Sequence, residues 1–386
     1  MNPENWQRAG FGVYVHWPFC QAKCPYCDFN SHVSKNVDQT AWVRAYLSEL
    51  DRLAAVTPDR IVSTIFFGGG TPSLMLPETV DAIIGRIRKN WRCTNDIEVT
   101  LEANPTSVEA SRFRGFQLAG VNRISMGIQA LNDPDLRRLG RLHTVKEAEQ
   151  AFDVARNIFE RVSFDLIYAR QDQTARDWEA ELTRALDMAA DHLSLYQLTI
   201  EDGTAFGDRF ARGGLAGLPS EDLSADLFEI TQDLTEQHGF SAYEVSNHAK
   251  AGQESRHNLV YWRGGDYVGV GPGAHGRFDA NGARYATETY LAPTKWLDEV
   301  SSRGNGESVK NALSKEEQAL EYLLMSLRLA EGCDLDRLYS LDVNAISSNK
   351  INELSESGHL VANAGRIAVP ANSRILLNSI LARLLA

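Results

Sequence analysis

Short apolar runs alternate with longer segments of helical periodicity through the first two hundred residues. The runs are Val13–His16, Ile61–Phe67, Ile97–Leu101, Arg123–Ile128, Val162–Tyr168 and Leu193–Thr199. The segments between them repeat their apolar positions with the spacing of amphipathic helices. Strands that alternate with helices are typical of βαβ units around a parallel sheet. The pattern therefore predicts an α/β fold built as a partial (β/α)6 barrel.

The pattern becomes less regular beyond residue 200. A glycine-rich stretch, "YVGVGPGAHG", covers 267–276, and "SSRGNGESVKN" at 301–311 predicts a linker or exposed loop. Helical segments follow, and "GHLVANAGRIAVP" predicts a hairpin, which together indicate a small helical, winged-helix-like module. We therefore expect three parts: a core barrel at 1–240, an extension at 241–310 and a C-terminal helical module at 311–386.

Composition and charge narrow the classes of function. The 386 residues carry a formal net charge of −12 without runs of Lys or Arg, which argues against nucleic acid as a partner because such binding relies on neutralising phosphates. No apolar run approaches the ~20 residues of a transmembrane segment. The first residues show no signal-peptide pattern. We expect a cytoplasmic protein whose cysteines stay reduced.

Three of the five cysteines lie within "CQAKCPYCDF", residues 20–29. Cys20, Cys24 and Cys27 have the spacing C-x3-C-x2-C, and such a loop can direct three thiolates at a cubane [4Fe–4S] cluster. Three ligands leave one iron open to an outside molecule. The alternative is a zinc site completed by His16 or His32, although structural zinc usually takes two separated ligand pairs.

Polar and glycine residues follow several of the predicted strands. "GGGTP" at 68–72 follows the second, Glu102 the third and Gln129 the fourth. The carboxyl ends of parallel strands meet at one edge, where sites of this fold class form. A glycine-rich turn brings backbone amides close to a ligand, but taken alone it is often only a turn.

Taken together, these segments resemble one family. The cysteine spacing with its aromatic loop resembles the signature of the radical S-adenosylmethionine (SAM) superfamily. "YVHWPFCQAKCPYCDFNSH", "FFGGGTPSLM", "LEANP", "GVNRISMGIQALND", "LGRLHT" and "FDLIYA" are similar, in order, to the oxygen-independent coproporphyrinogen III oxidase-like group. The resemblance implies a [4Fe–4S] cluster on Cys20, Cys24 and Cys27, SAM on the open iron, and an electron donor for reductive cleavage of SAM to a 5′-deoxyadenosyl radical.

The resemblance also implies a set of cofactor-binding residues. A carboxylate such as Glu102 accepts hydrogen bonds from an ammonium or a ribose, and the fork of Arg141 suits a carboxylate. One departure from the family occurs after "LIY", where Arg170 and Gln171 replace the usual Leu-Pro pair. The residues implied to contact SAM or flank the cluster are Tyr14, Tyr26, Gly69, Gly70, Thr71, Glu102, Gln129, Arg141 and Asp165, with His143 as a weaker candidate.

Two features separate the branches of this family. The oxidase typically carries a further cysteine two residues after the third and a longer extension before the cluster, whereas this chain has Phe29 there and nineteen residues before Cys20. Both features resemble the HemW-type haem chaperones. The segment "HNLVY" also matches an H-N-x-x-Y motif of that branch, which makes His257 a candidate axial ligand of haem iron. His257 could equally be a packed core residue, and His275 is a second candidate.

The resemblance therefore implies a haem chaperone that binds haem and delivers it to haem proteins, respiratory clients among them. An oxygen-independent coproporphyrinogen III oxidase of porphyrin biosynthesis is the alternative, and a protein that keeps the cluster only for structure is a third reading. The resemblance does not specify the client protein. It is compatible with haem transfer with or without cleavage of SAM, and with a homodimer.

Overall fold

A computed structural model describes residues 4–34 and 36–386. The strands are β1 Phe11–Trp17, β2 Phe19–Cys20, β3 His32–Val33, β4 Ile61–Gly69, β5 Arg92–Ala103, β6 Arg123–Gln129, β7 Arg161–Tyr168, β8 His192–Gln197, β9 Ser241–Ala242, β10 Asn247–Ala249, β11 Asp266–Val270, β12 His275–Ala280, β13 Ala283–Thr289, β14 Glu307–Ala312, β15 Cys333–Asp334, β16 Val361–Asn363 and β17 Arg366–Ala368.

The helices are α1 Asn5–Ala9, α2 Gln39–Val56, α3 Pro77–Asn90, α4 Ser107–Ala110, α5 Phe113–Leu118, α6 Asp133–Arg138, α7 Val145–Arg156, α8 Ala175–Met188, α9 Ala205–Ala211, α10 Glu221–Gln237, α11 Arg256–Trp262, α12 Pro293–Arg303, α13 Lys315–Ser326, α14 Leu335–Leu341, α15 Ser348–Glu356 and α16 Leu377–Leu385, with short 3-10 helices at Pro72–Leu74 and Ala371–Leu376. Within the described ranges, no helix is long and apolar enough to cross a membrane.

The main sheet contains the six predicted parallel strands in chain order. Its strand order is β14-β13-β12-β11-β1-β4-β5-β6-β7-β8-β10-β9, and β1, β4, β5, β6, β7 and β8 pair in parallel. Because β1 and β8 lie apart in this order, the barrel is open. The predicted α/β fold with a partial barrel is confirmed.

A seventh parallel strand was not predicted. β11 pairs in parallel with β1 and lies in the glycine-rich stretch, whose composition hides a strand. A Cβ at Gly269 would lie 2.1 Å from the backbone oxygen of His275, so the close return of β12 requires glycine there.

The prediction of a linker at 301–311 is wrong. Helix α12 continues to Arg303, and β14 then pairs antiparallel with β13. The strand "ESVKNA" lies at the edge of the sheet and is mostly exposed, so no apolar alternation marks it in the sequence.

The two faces of the barrel strands differ in polarity, because successive side chains of a strand point to opposite sides. On β6, Ile124 and Met126 are buried in the same apolar core as Phe152 of α7. On the opposite face, the guanidinium of Arg123 donates to Ser163 Oγ at 2.9 Å. The inner face of the barrel is therefore polar, and it can hold a polar ligand.

The C-terminal residues form a second apolar core. It includes Leu323, Leu338, Ile351, Ile367 and Leu381, and the small sheet β15-β17-β16 lies beside it. Helices and a hairpin thus occur where the sequence predicts them. The division into 1–240, 241–310 and 311–386 stays a prediction.

The turn after β7, where Arg170 and Gln171 replace the expected Leu-Pro pair, is held by buried ion pairs. Arg170 Nη2 lies 2.9 Å from Asp135 Oδ2 and also pairs with Glu181. Glu181 in turn accepts a hydrogen bond from Leu131 N at 2.6 Å. Charge pairing thus fixes a bend that a proline would set covalently.

Replacing Arg170 by Leu is expected to lower the free energy of unfolding by about 3–5 kcal/mol, because it leaves carboxylates buried without their cation. Urea denaturation of the full chain measures this change. Arg176→Leu, which changes an exposed arginine of the adjacent helix α8, is the matched control. Equal losses in the two variants would show that the buried pairs contribute nothing.

Candidate cofactor site

The loop that carries the cysteines is anchored at both ends. β2, which ends at Cys20, pairs in parallel with β3. Near the other end, Asn30 Nδ2 donates to the backbone oxygens of Pro272 and Leu291 at 3.0 and 2.9 Å. The backbone oxygen of Asn30 accepts from His16 Nε2 at 2.9 Å. These bonds hold the intervening loop against the ends of the barrel strands.

Each of the three thiols has a different polar neighbour. Cys20 Sγ accepts from Thr71 Oγ1 at 3.4 Å, and Cys24 Sγ accepts from Arg141 Nη1 at 3.3 Å. Cys27 Sγ lies 3.8 Å from Ser31 Oγ. Burial raises the pKa of Cys20 and of Cys27, so these two thiols hold their protons when free, and a metal displaces those protons on binding. Donors directed at sulphur stabilise the resulting thiolates, and this donor set fits a metal-bound cysteine loop.

The glycines at the end of β4 allow that strand to contact the cysteine loop. A Cβ at Gly70 would lie 2.8 Å from Phe19 O, and one at Gly69, whose φ is +109°, would lie 2.6 Å from the His16 ring. Thr71 N donates to Phe19 O at 2.9 Å. The glycines are therefore required for the close approach of β4 to the cysteine loop.

The cysteines and most of the predicted cofactor residues share one cavity of about 160 Å3. Strands β4, β5 and β6 end at it and β7 lines it with Asp165, so that residues far apart in the sequence meet there. The members named from the sequence are Cys20, Cys24, Cys27, Tyr26, Gly69, Gly70, Thr71, Glu102, Gln129, Arg141, His143 and Asp165. Tyr14 and His257 are not among the residues that line it.

Three buried polar atoms of this cavity have no hydrogen-bond partner within the described residues. They are Gln129 Oε1, Arg141 Nε and Asp165 Oδ1. A buried polar group without a partner costs about 1–3 kcal/mol. Gln129 also has a positive φ of +76°, a strained conformation of the kind that clusters at functional sites. The cavity therefore fits a ligand that carries both donors and acceptors.

Two carboxyl groups give the cavity its electrostatic character. Burial, followed by the charge of Asp165, raises the pKa of Glu102 to about 8. Burial also raises the pKa of Asp165 to about 6. Two neighbouring carboxylates are stabilised by a bound cation, so the ligand that suits this cavity carries positive charge near them.

The Arg141 side chain makes several hydrogen bonds within the protein, which the sequence does not predict. Its Nη2 donates to Asn104 Oδ1 at 2.5 Å and to Gly127 O at 2.8 Å, while Nη1 faces Cys24. Its Nε has no hydrogen-bond partner among the described residues. The predicted two-pronged fork is therefore not free, and Arg141 instead joins the cysteine loop to the cavity wall.

Asn104 is a cavity residue that the sequence reasoning did not single out. It binds Arg141 and also donates from Nδ2 to Thr71 Oγ1 at 3.3 Å. A signal was present, since Asn104 follows Glu102 by two positions at the end of β5. Side chains two apart on a strand point the same way.

His143 lines the cavity as a neutral side chain. Its Nε2 donates to Ile128 O at 3.0 Å. Burial and the nearby Arg141 charge lower its pKa to about 4. This histidine is packed rather than solvated.

The histidines of the alternative zinc site are engaged elsewhere. His16 accepts from Tyr14 OH at Nδ1, 3.0 Å away, while Nε2 donates to Asn30 O. His32 Nε2 lies 3.1 Å from Asn30 Oδ1. Among residues 4–34 and 36–386, no three His, Cys, Asp or Glu side chains are grouped so that they could hold one metal ion. A Cys3His zinc site needs four donors at a single ion, whereas a cubane cluster offers each cysteine its own iron.

His257 holds helix α11 inside the barrel. It is 1% exposed, its Nδ1 lies 2.8 Å from Thr64 Oγ1, and its Nε2 lies 2.6 Å from Tyr261 OH. The ring stacks on Phe66 with centroids 5.1 Å apart, and burial lowers its pKa to about 3. Helix α11 places His257 and Tyr261, four positions apart, on one face. Because both ring nitrogens are occupied, the haem-ligand role stays a prediction that would require one of these bonds to break.

Comparisons with known proteins agree with this geometry. Residues 14–185 match the family model for the radical SAM superfamily, and residues 313–376 match that for the HemN C-terminal domain. "Radical S-adenosyl methionine domain-containing protein 1, mitochondrial" of Danio rerio is 38% identical over 97% of this chain and 86% of its own. "Heme chaperone HemW" of Escherichia coli is 35% identical over 97% and 98%. The structure of E. coli coproporphyrinogen III oxidase HemN superimposes with a TM-score of 0.81 at 22% identity, over 97% of this chain and 90% of that one, which shows a shared fold.

The fold, the cysteine loop and these matches define the class: the chain belongs to the radical SAM superfamily. Within the superfamily it falls in the coproporphyrinogen oxidase-like group, in the branch that contains the HemW-type proteins. Several relatives are named as mitochondrial, so the predicted cytoplasmic location stays a prediction.

Proposed function

We propose that this protein is a haem chaperone, which carries a [4Fe–4S] cluster, binds SAM beside it and passes haem to client haem proteins. The observation that carries the proposal is the 35% identity to the haem chaperone HemW of E. coli over 97% of this chain and 98% of that one. The cavity beside the cysteine loop supports it, because its donors and charges suit the cofactors of the superfamily.

Different residues of the cavity would hold the cluster and SAM. Cys20, Cys24 and Cys27 would hold the cluster, with Thr71 and Arg141 donating to two of the sulphurs. When bound, the cluster supplies an electron for reductive chemistry on SAM.

The SAM side of the cavity is defined by charge and by unpartnered atoms. Glu102 and Asp165 would face the cationic parts of SAM, while Gln129 Oε1 and Arg141 Nε would gain the partners they lack. Gly69, Gly70 and Thr71 border the same space. Tyr26 closes one side of it and packs on Phe206, with ring centroids 6.5 Å apart.

The affinity for SAM is expected to rise between about pH 6 and about pH 8. The pKa of Glu102 is about 8 and that of Asp165 about 6, so both carboxyls ionise across this range, and only the ionised forms attract the ammonium and sulfonium groups of SAM. Calorimetry in buffers of different ionisation enthalpy should show protons released on binding at pH 7. Glu102→Gln should flatten the profile. A flat profile in the unchanged protein would remove these carboxyls from the SAM site.

The alternative function is the oxidation of coproporphyrinogen III. Phe29 favours the chaperone over the oxidase. Phe29 occupies the position where the oxidase branch has its extra cysteine, and its ring is 60% exposed at the mouth of the cavity. The match to the HemN structure rests on 22% identity and shows the fold alone, so it does not favour the oxidase reaction.

A paired anaerobic assay tests the proposal. The reconstituted protein, with SAM and a reductant, is expected to retain haem through gel filtration and to form no protoporphyrinogen IX from coproporphyrinogen III. Phe29→Cys serves as the companion variant and should not create the oxidase, because one added thiol supplies no substrate-binding surface. Repeated turnover of coproporphyrinogen III without haem retention would overturn the chaperone function in favour of the oxidase.

A further inference from the structure

A second, larger cavity lies beside the cofactor cavity. Its volume is about 750 Å3, and it shares Lys23, Phe29, Ser31, Gly69 and Glu102 with the first. Half of the remaining lining residues are aromatic or apolar: Tyr14, Tyr261, Trp262, Tyr267, Leu291 and Met325. The polar ones include His16, Asp28, Asn30 and His32. Pockets for flat apolar ligands are large, aromatic and edged by a few polar groups, and this cavity has that character.

His275 lines the second cavity, and its ring makes no hydrogen bond to any residue that the structure describes. Its side chain is 54% exposed. In the part of the chain that the structure describes, each of the other eight histidines has at least one ring nitrogen hydrogen-bonded. Of the three histidines that line this cavity, His16 has both ring nitrogens hydrogen-bonded and His32 has one, whereas both nitrogens of His275 are available within the described residues.

The strand pairing places a carboxylate beside His275. Glu288 of β13 is its direct partner across the sheet, and Glu288 Oε1 lies 3.9 Å from His275 Nδ1. This distance is longer than a hydrogen bond but short enough for a small side-chain movement to close it. Metal-binding histidines commonly donate their second ring nitrogen to a carboxylate, which orients the ring and makes it a better ligand. The pair thus leaves Nε2 directed away from Glu288 as the metal-binding atom.

Polar groups at the wall suit the edge of a porphyrin. Trp262 Nε1 is buried without a hydrogen-bond partner within the described residues, and it can donate to a carboxylate. Lys23 adds a positive charge at the boundary with the cofactor cavity. The two carboxylates of haem would find a donor and a cation here, while the ring packs on the aromatic wall.

We propose that the second cavity is the haem site and that His275 Nε2 is an axial ligand of the haem iron, with Glu288 holding Nδ1. This inference rests on the proposed function. It assigns a different role to His257, which does not line the cavity: through its bond to Tyr261 OH, His257 positions part of the cavity wall.

Titration with ferric haem and with iron-free protoporphyrin IX separates the iron ligand from the cavity. His275→Ala in the full, reconstituted chain is expected to raise the Kd for haem about tenfold or more and to change the Soret band and the electron paramagnetic resonance spectrum of the iron. The Kd for protoporphyrin IX, which has no iron to ligate, should stay unchanged. Added imidazole should restore the spectrum of bound haem in His275→Ala.

Two companion variants sharpen this result. Glu288→Gln is expected to shift the haem spectrum less than His275→Ala does. It keeps the histidine ligand and removes only the negative charge of the carboxylate beside Nδ1. His359→Ala removes a half-buried histidine of the C-terminal core region, hydrogen-bonded to Ser373 Oγ, and should leave haem binding as it was.

The outcomes distinguish this inference from the proposed function. Failure of the unchanged protein to bind haem would overturn the chaperone proposal itself. Haem binding with the same Kd and spectrum in His275→Ala would overturn the assignment of His275 and leave the chaperone proposal standing. Parallel loss of haem and protoporphyrin IX in His275→Ala would also overturn the ligand assignment, since it would show damage to the cavity. Loss of the iron spectrum in His257→Ala but not in His275→Ala would return the ligand role to His257.

Discussion

Replacement of Cys20, Cys24 and Cys27 together by alanine is expected to abolish the brown colour and most of the iron of the anaerobically purified protein. The three cysteines line one cavity. Thr71 and Arg141 donate to the sulphurs of Cys20 and Cys24, and Ser31 Oγ lies 3.8 Å from that of Cys27, so no thiol elsewhere can replace them. Ligation by thiolate is what holds an iron–sulfur cluster in a protein, and the expected effect is therefore close to all or none. Iron analysis and the visible absorption spectrum measure it.

Cys93→Ala provides the control for this experiment. Cys93 lies near the start of β5, at the opposite end of the strand from the cavity, and lines no part of it. It should leave the iron content unchanged. Retention of the cluster by the triple variant, or a site filled by zinc alone after anaerobic purification, would contradict the proposed centre.

Replacement of Arg141 by Lys is expected to weaken SAM binding by about tenfold or more, equivalent to about 1.4 kcal/mol. The guanidinium binds Cys24 Sγ, Asn104 Oδ1 and Gly127 O at once and presents Nε to the cavity. An ammonium group is a compact charge and does not reproduce the planar set of donors. The same variant should shift the absorption of the cluster, because Cys24 loses a donor.

Arg138→Lys is the matched control for Arg141→Lys. Arg138 lies on helix α6 only three positions away, is half exposed and pairs with Asp135 and Asp172 outside the cavity. Calorimetry should show unchanged SAM affinity in this variant. An equal Kd in Arg141→Lys and Arg138→Lys would remove Arg141 from the SAM site.

The sequence by itself determined the parts of the molecule that depend on local patterns. The short apolar runs and the 3.6-residue period of the segments between them predicted the six β/α units, and hence the strand edge where Glu102 and Gln129 lie. The spacing of Cys20, Cys24 and Cys27 predicted a cofactor loop, since all three thiols belong to one short segment. Such features depend on residues that are close in the sequence, so they can be predicted from it.

The tertiary structure decided what depends on residues far apart in the chain. His257 and Thr64 are 193 positions apart, and only their contact shows that this ring is hydrogen-bonded on both nitrogens inside the barrel. Arg141 is turned toward Cys24 by Asn104 and Gly127, and the pairing of β12 with β13 places Glu288 beside His275. Side-chain packing and strand register set these contacts across the whole fold, so no local period in the sequence encodes them.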